Sequence, residues 1–172
     1  MITYKSGNLL ESNCSVICHQ VNCQRVMGSG IAKQIKDKWP EIFDEYCKFI
    51  DYNYENGICR YSYDFLGMMQ PIIVTEPLIK DDQTYMRNRL IINFFSQDKY
   101  LPRNICHTNY DAFRQCCISL REYLLKYCSG WTIGFPYKIG CGLAGGDWPI
   151  VEKIIEEELG IEFIVEIYQY NM

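Results

Sequence analysis

Apolar positions along the chain fall into two spacings. Continuous or alternating apolar runs predict strands at Ile2–Lys5, Cys14–Val21, Leu90–Ser96, Trp131–Phe135 and Ile161–Tyr168. A further run, Phe65–Thr75, reads as a strand pair bent at Gly67 or Pro71. Apolar residues about one turn apart predict helices. The first runs from about Gly30 through Trp39 and is interrupted at Pro40. Glu41–Ile50 follows, with Ile42, Phe43, Tyr46, Phe49 and Ile50 on one face. Thr108–Tyr127 directs Phe113, Cys117, Leu120 and Leu124 inward, and Asp147–Leu159 forms the last helix. Asp51–Gly57 and Gln97–His107 read as loops, and Glu76–Arg89, with its charges and Pro77, as an exposed connection. Strands alternate with helices, so the expected class is α/β, with a helix-covered, largely parallel sheet of about six strands. Such sheets bind ligands beyond the carboxyl ends of their strands.

Two glycine-rich segments lie at that rim. Gly140-Cys141-Gly142-Leu143-Ala144-Gly145-Gly146-Asp147-Trp148 joins a strand to a helix, with Asp147 where an N-cap belongs and Pro149 in the first helical turn. Met27-Gly28-Ser29-Gly30-Ile31-Ala32 does the same after the second strand. A loop poor in side chains can aim several backbone N–H groups at one point, and a helix start adds its positive dipole end. One such loop is equally a tight turn that uses glycine for its positive φ. Two of them could hold the two halves of one diphosphate. Neither spacing is that of the Walker or Rossmann motif.

Composition narrows the classes further. The 172 residues are 48% hydrophobic and 22% charged, enough for one domain, 1–172, with a substantial core. The formal net charge of −4 argues against gripping extended nucleic acid by its backbone. The N-terminal residues lack the features of a signal peptide, and no apolar run approaches the ~20 residues of a membrane span, so a cytoplasmic protein without membrane contact is expected. The chain has 10 cysteines; several sit in apolar runs, as reduced, buried thiols would. His19 with Cys23, or Cys106 with His107, lacks the paired spacing of a zinc site, so neither a metal nor a cofactor is expected.

In order along nearly the whole chain, these segments resemble the macrodomains, which bind ADP-ribose. Tyr4 to Leu10 is similar to the family's opening strand and its Gly-Asp signature, His19 to Ala32 to the segment leading into the first phosphate loop, Leu90 to Gln97 to a later strand ending in a polar residue, and Lys138 to Trp148 to the second phosphate loop. The forms of both loops are similar to terminal ADP-ribose protein glycohydrolase and the DNA ADP-ribosyl glycohydrolases. The Gly7-Asn8 start and the His19 to Cys23 spacing are also similar to the fungal ADP-ribose-1″-phosphate phosphatase.

The resemblance implies a three-layer α/β/α fold and a monomer acting on ADP-ribose or an ADP-ribosylated substrate. Asn8, with Leu9, stands where many members have an aspartate that meets adenine. Met27, Gly28, Ser29, Gly30 and Ile31 would wrap one side of the diphosphate, and Gly140, Cys141, Gly142, Leu143 and Ala144 the other. His19, Asn22, Gln97 and Asp147 are the polar candidates for catalysis near the distal ribose. Each has a plainer role: a rim histidine, a turn residue, the end of a strand, a helix cap. Two departures bear on mechanism. Gln97 stands where the protein glycohydrolase has a nucleophilic lysine, with Lys99 two residues on, and Ala144 stands where it has a catalytic aspartate. The expected function is hydrolysis of a substituent at C1″ of ADP-ribose; the alternative is a module that binds ADP-ribose without chemistry.

Overall fold

The computed structural model describes residues 1–102, 104–128 and 130–170. Residue 103 of the expected loop, and residue 129 and the last two residues of the expected domain, lie outside them. The elements in order are β1 (Ile2–Ser6), β2 (Val16–Asn22), α1 (Gly30–Lys38), α2 (Pro40–Glu55), β3 (Met69–Lys80), β4 (Gln83–Gln97), α3 (Tyr110–Tyr127), β5 (Ile133–Pro136), α4 (Trp148–Leu159) and β6 (Val165–Gln169).

The strands form one sheet in the order β1-β6-β5-β2-β4-β3. β3 pairs with β4 antiparallel, and the remaining pairings are parallel. β2 lies at the centre and is buried along its whole length, as its apolar run requires. Its alternate residues feed two cores. Val16 and Cys18 join the faces of α3 and α4 through Phe113, Leu120, Val151 and Ile155. Ile17 and Val21 join α1 and α2 through Ile35, Ile42, Tyr46 and Ile50. The α/β/α layering follows from this alternation.

Three expectations change. The exposed connection expected over Glu76–Arg89 is instead the far end of a β3–β4 hairpin. Glu76 and Arg87 are direct partners in that ladder, and Arg87 Nε and Nη2 lie 2.9 and 2.6 Å from Glu76 Oε1. Charges that read as a solvated loop are a cross-strand pair. Pro77 is tolerated because β3 is an edge strand. The hairpin turns on Asp81 and Asp82, at φ of 52° and 59°, which suits a tight antiparallel connection. The strand pair expected over Phe65–Thr75 is one strand from Met69, preceded by a single 3₁₀ turn at Ser62–Phe65, and Pro71 pairs in register with Ile92 without a bend. Finally, α2 continues through Glu55 into the segment expected to be loop.

Ten cysteines are unpaired thiols. Among the described residues, no group of three or more His, Cys, Asp or Glu could hold a metal ion, and no helix is long and apolar enough to cross a membrane.

Candidate functional site

The first loop is wound around Asn22, the last residue of β2. Its Oδ1 accepts from Gln24 N at 2.9 Å and Val26 N at 3.3 Å, while its Nδ2 donates to Val26 O at 2.7 Å. Tyr46 of α2 donates its hydroxyl to Asn22 O at 2.6 Å. This small Asx-type knot turns the chain and delivers Gly28-Ser29-Gly30 to the rim. Gly30, at φ +56°, opens α1, whose first-turn N–H groups have no carbonyl partner within the helix. Ser29 is at the N-cap position, and its side chain makes no capping bond.

The second loop depends on glycine for space as well as for φ. Gly140 is at φ +72°, and a Cβ there would lie 2.7 Å from Gln20 Oε1. At Gly146 a Cβ would lie 2.7 Å from the Gly140 carbonyl oxygen. Three bonds pin the loop: Thr108 Oγ1 to Gly140 O at 2.6 Å, Gly146 N to the same oxygen at 2.9 Å, and His107 N to Ala144 O at 2.8 Å.

The two loops face one cleft of about 720 Å³, lined by Gly28, Ser29, Gly30 and Ile31 on one side and by Gly140, Gly142, Leu143 and Ala144 on the other. That volume is ample for a nucleotide-sized ligand. Asn8, Leu9, Asn22 and Gln97 also line it. Asn8 arrives already engaged: its Oδ1 accepts from Leu10 N at 3.0 Å, capping a 3₁₀ turn, and its Nδ2 donates to Glu11 Oε1 at 3.2 Å. Leu9 packs beside Gly134 of β5, where an added Cβ would lie 2.6 Å from Leu9 Cδ1.

Four of the expected residues do not line the cleft. Met27 is buried in the α1–α2 core, because the chain must bury an apolar side chain there before it turns out at Gly28. Cys141 turns its Sγ to Ile139 O at 3.2 Å, and burial pushes its thiol up to about pKa 11. Asp147 occupies the N-cap position of α4, exposed and without a capping side-chain bond; Tyr110 Oη accepts from its N–H at 2.9 Å. His19 is completely buried inside the sheet, one pleat short of the rim, with Nε2 2.5 Å from Asn93 Oδ1. Burial lowers its pKa to about 4, so at neutral pH it is an uncharged core imidazole.

No family model matches the chain. A stretch of 48 residues is 50% identical to the DNA ADP-ribosyl glycohydrolase of Mycobacterium tuberculosis, covering 28% of this chain and 14% of that protein. Over 171 residues, 99% of the chain, it is 24% identical to the DNA ADP-ribosyl glycohydrolase of Thermus aquaticus, of which it covers 41%. The chain thus spans less than half the length of these relatives. Its structure superposes on the macrodomain of Mycobacterium tuberculosis DarG with a TM-score of 0.72 and 26% identity, covering 98% of this chain and 97% of that one. The chain is a macrodomain in fold.

The macrodomain's cleft has a lining that the sequence did not single out. Gln20, Tyr100, Lys138, Tyr168 and Tyr170 join it. Among the described residues no carboxylate, imidazole or thiol lines it; Lys138 is its one cation, and its other polar side chains are amides and hydroxyls. Gln20 carried one sequence signal: it and His19 are adjacent polar residues inside a mostly apolar central strand. The strand's two-residue period sends them to opposite faces, and the residue nearer the strand's end reaches the rim. Chemically, this lining is suited to surround an anion and to orient hydroxyls or a water through amides.

Proposed function

We propose that this macrodomain holds an ADP-ribose moiety with its pyrophosphate between the two glycine loops, and that it hydrolyses the bond at C1″ of the distal ribose. The observation that carries this reading is the convergence of two glycine loops, one of them a helix start, on a single cleft free of acidic side chains. The relatives' names supply the reaction class. Water adds its oxygen to C1″, the bond from C1″ to the attached group breaks, and that group leaves with a proton. With no titratable acid or base in the lining other than Lys138 and tyrosines, catalysis would rest on positioning, with Gln97, and the one Asn22 amide hydrogen not spent on the first loop, orienting ribose hydroxyls and the attacking water. The substrate would be an ADP-ribosylated macromolecule, DNA or protein, or ADP-ribose-1″-phosphate.

The same lining favours a second reading, in which the cleft binds ADP-ribose and performs no chemistry. Titration calorimetry with ADP-ribose, followed by turnover assays on ADP-ribosylated DNA, ADP-ribosylated protein and ADP-ribose-1″-phosphate, separates the two. Micromolar or tighter binding with release of ADP-ribose or phosphate supports the hydrolase. Binding with no turnover on any of the three leaves the reader. No binding removes both.

A further inference from the structure

Gln20 sits where three segments meet. Its Oε1 accepts from Ser96 Oγ at 2.8 Å, and its Nε2 donates to Gln97 Oε1 at 3.1 Å and to Thr108 Oγ1 at 3.2 Å. Which end of each amide faces which neighbour follows from groups that have no choice. The Gly140 carbonyl can only accept, so Thr108, 2.6 Å away, spends its single hydroxyl proton there. Toward Gln20, Thr108 is therefore an acceptor, and the Gln20 atom facing it must be Nε2. At the other end of the chain of bonds, the Lys99 carbonyl can also only accept, so the Gln97 atom 2.7 Å from it must be Nε2. Both ends demand the same polarity. Gln20 donates to the Gln97 carbonyl oxygen, and Gln97 is left with one N–H uncommitted among the described residues, at the cleft wall.

We propose that Gln20 is a positioning residue that holds Gln97 with an N–H, rather than a carbonyl, toward the ligand. The cleft then selects for an oxygen acceptor at that point, such as a ribose hydroxyl or the attacking water. Through Thr108 the same setting is tied to the Gly140 carbonyl, so loop and amide are adjusted together. Gln20 itself is almost fully buried, at 9% exposure, and acts through its neighbour. This inference rests on the reading of the cleft as an ADP-ribose site.

The test has two parts. In wild-type protein, the side-chain amide signals of Gln97 should shift on saturation with ADP-ribose, and the Gln20 amide protons should exchange slowly with solvent. Unmoved Gln97 signals, or fast exchange at Gln20, would overturn the proposal even if no variant folds. In the second part, Gln20→Glu replaces the donor with a group that only accepts, which invites Gln97 to turn its N–H inward. ADP-ribose affinity should fall about tenfold, and adding Gln97→Ala should lower it no further. Losses that multiply in the double variant would show two independent contacts and overturn it. If wild type binds no ADP-ribose at all, the cleft assignment fails, while fast exchange of the Gln20 amide protons would by itself overturn the donor role given to Gln20.

Discussion

His19 donates from Nε2 to Asn93 Oδ1 across the sheet, at 2.5 Å. The direction can be traced to a backbone carbonyl. Glu45 O accepts from Gln70 Nε2 at 2.9 Å, so Gln70 Oε1 faces Asn93, accepts from its Nδ2 at 2.9 Å, and leaves Asn93 Oδ1 for the imidazole. Nε2 therefore carries the proton, and Nδ1 is buried without a partner among the described residues. A charged His19 would hold an unpaired N–H in the core.

That arrangement makes stability depend on pH. Burial puts the folded-state pKa at about 4, below the ordinary 6.5. The unfolded chain then binds the proton more readily, so this contribution is complete above pH 6.5 and is lost as pH falls toward 4. Urea unfolding should show a loss of about 2 kcal/mol between pH 6.5 and pH 5 from this group. His19→Gln should flatten the curve over that interval.

The same variant tests the site. Since neither His19 nor Asp147 lines the cleft, His19→Gln and Asp147→Asn should each keep ADP-ribose affinity within about threefold of wild type. A loss of a hundredfold in either, with the fold intact by circular dichroism, would return that residue to the site.

Two glycines in the second loop should behave oppositely. A Cβ on Gly142 meets nothing within 4 Å, so Gly142→Glu should fold normally while placing bulk and negative charge in the anion's path. Calorimetry should find no ADP-ribose binding to it. Gly140 has φ +72° and a Cβ would lie 2.7 Å from Gln20 Oε1, so Gly140→Ala should cost about 1–3 kcal/mol of stability as well as affinity.

Arg89 anchors the segment that carries Asn8 and Leu9. It is 1% exposed and donates to Leu10 O at 2.9 Å, Cys14 O at 3.1 Å, Ser12 Oγ at 3.0 Å and Glu76 Oε1 at 3.1 Å. Arg89→Ala would take the guanidinium from Cys14 O and loosen the segment, while Glu76 keeps Arg87 and Lys38 and Leu10 O keeps Lys38, so the cost should be about 1–3 kcal/mol measured by chemical unfolding.

The sequence was most legible where a residue has few alternatives. Glycine at 30 and 140 is demanded by backbone geometry, and both loops met at one cleft as their position after strands implied. The alternation of strands and helices was enough for the class and a helix-covered sheet, and the run of apolar residues in β2 for its central place. Legibility failed where partners are distant in the chain. Glu76 and Arg87 look like solvent-facing charges until the hairpin sets them opposite each other. His19 drew attention through its titratable ring, yet whether a strand residue reaches the rim depends on where the strand ends. Asn22, expected at the ribose, lines the cleft but uses both ends of its amide to shape the loop. Gln20 became visible only once its three partners, from β4 and the loop before α3, could be seen around it.

The long β3 edge carries Pro71 and Pro77, and Ile73 and Ile79 stand exposed beside them at 64% and 76%. Each proline removes an amide hydrogen, so a foreign strand sliding along this flank would miss rungs within a few residues of any start. Greasy side chains can thus be left in the open on this border with little danger that copies of the protein zip together into fibrils.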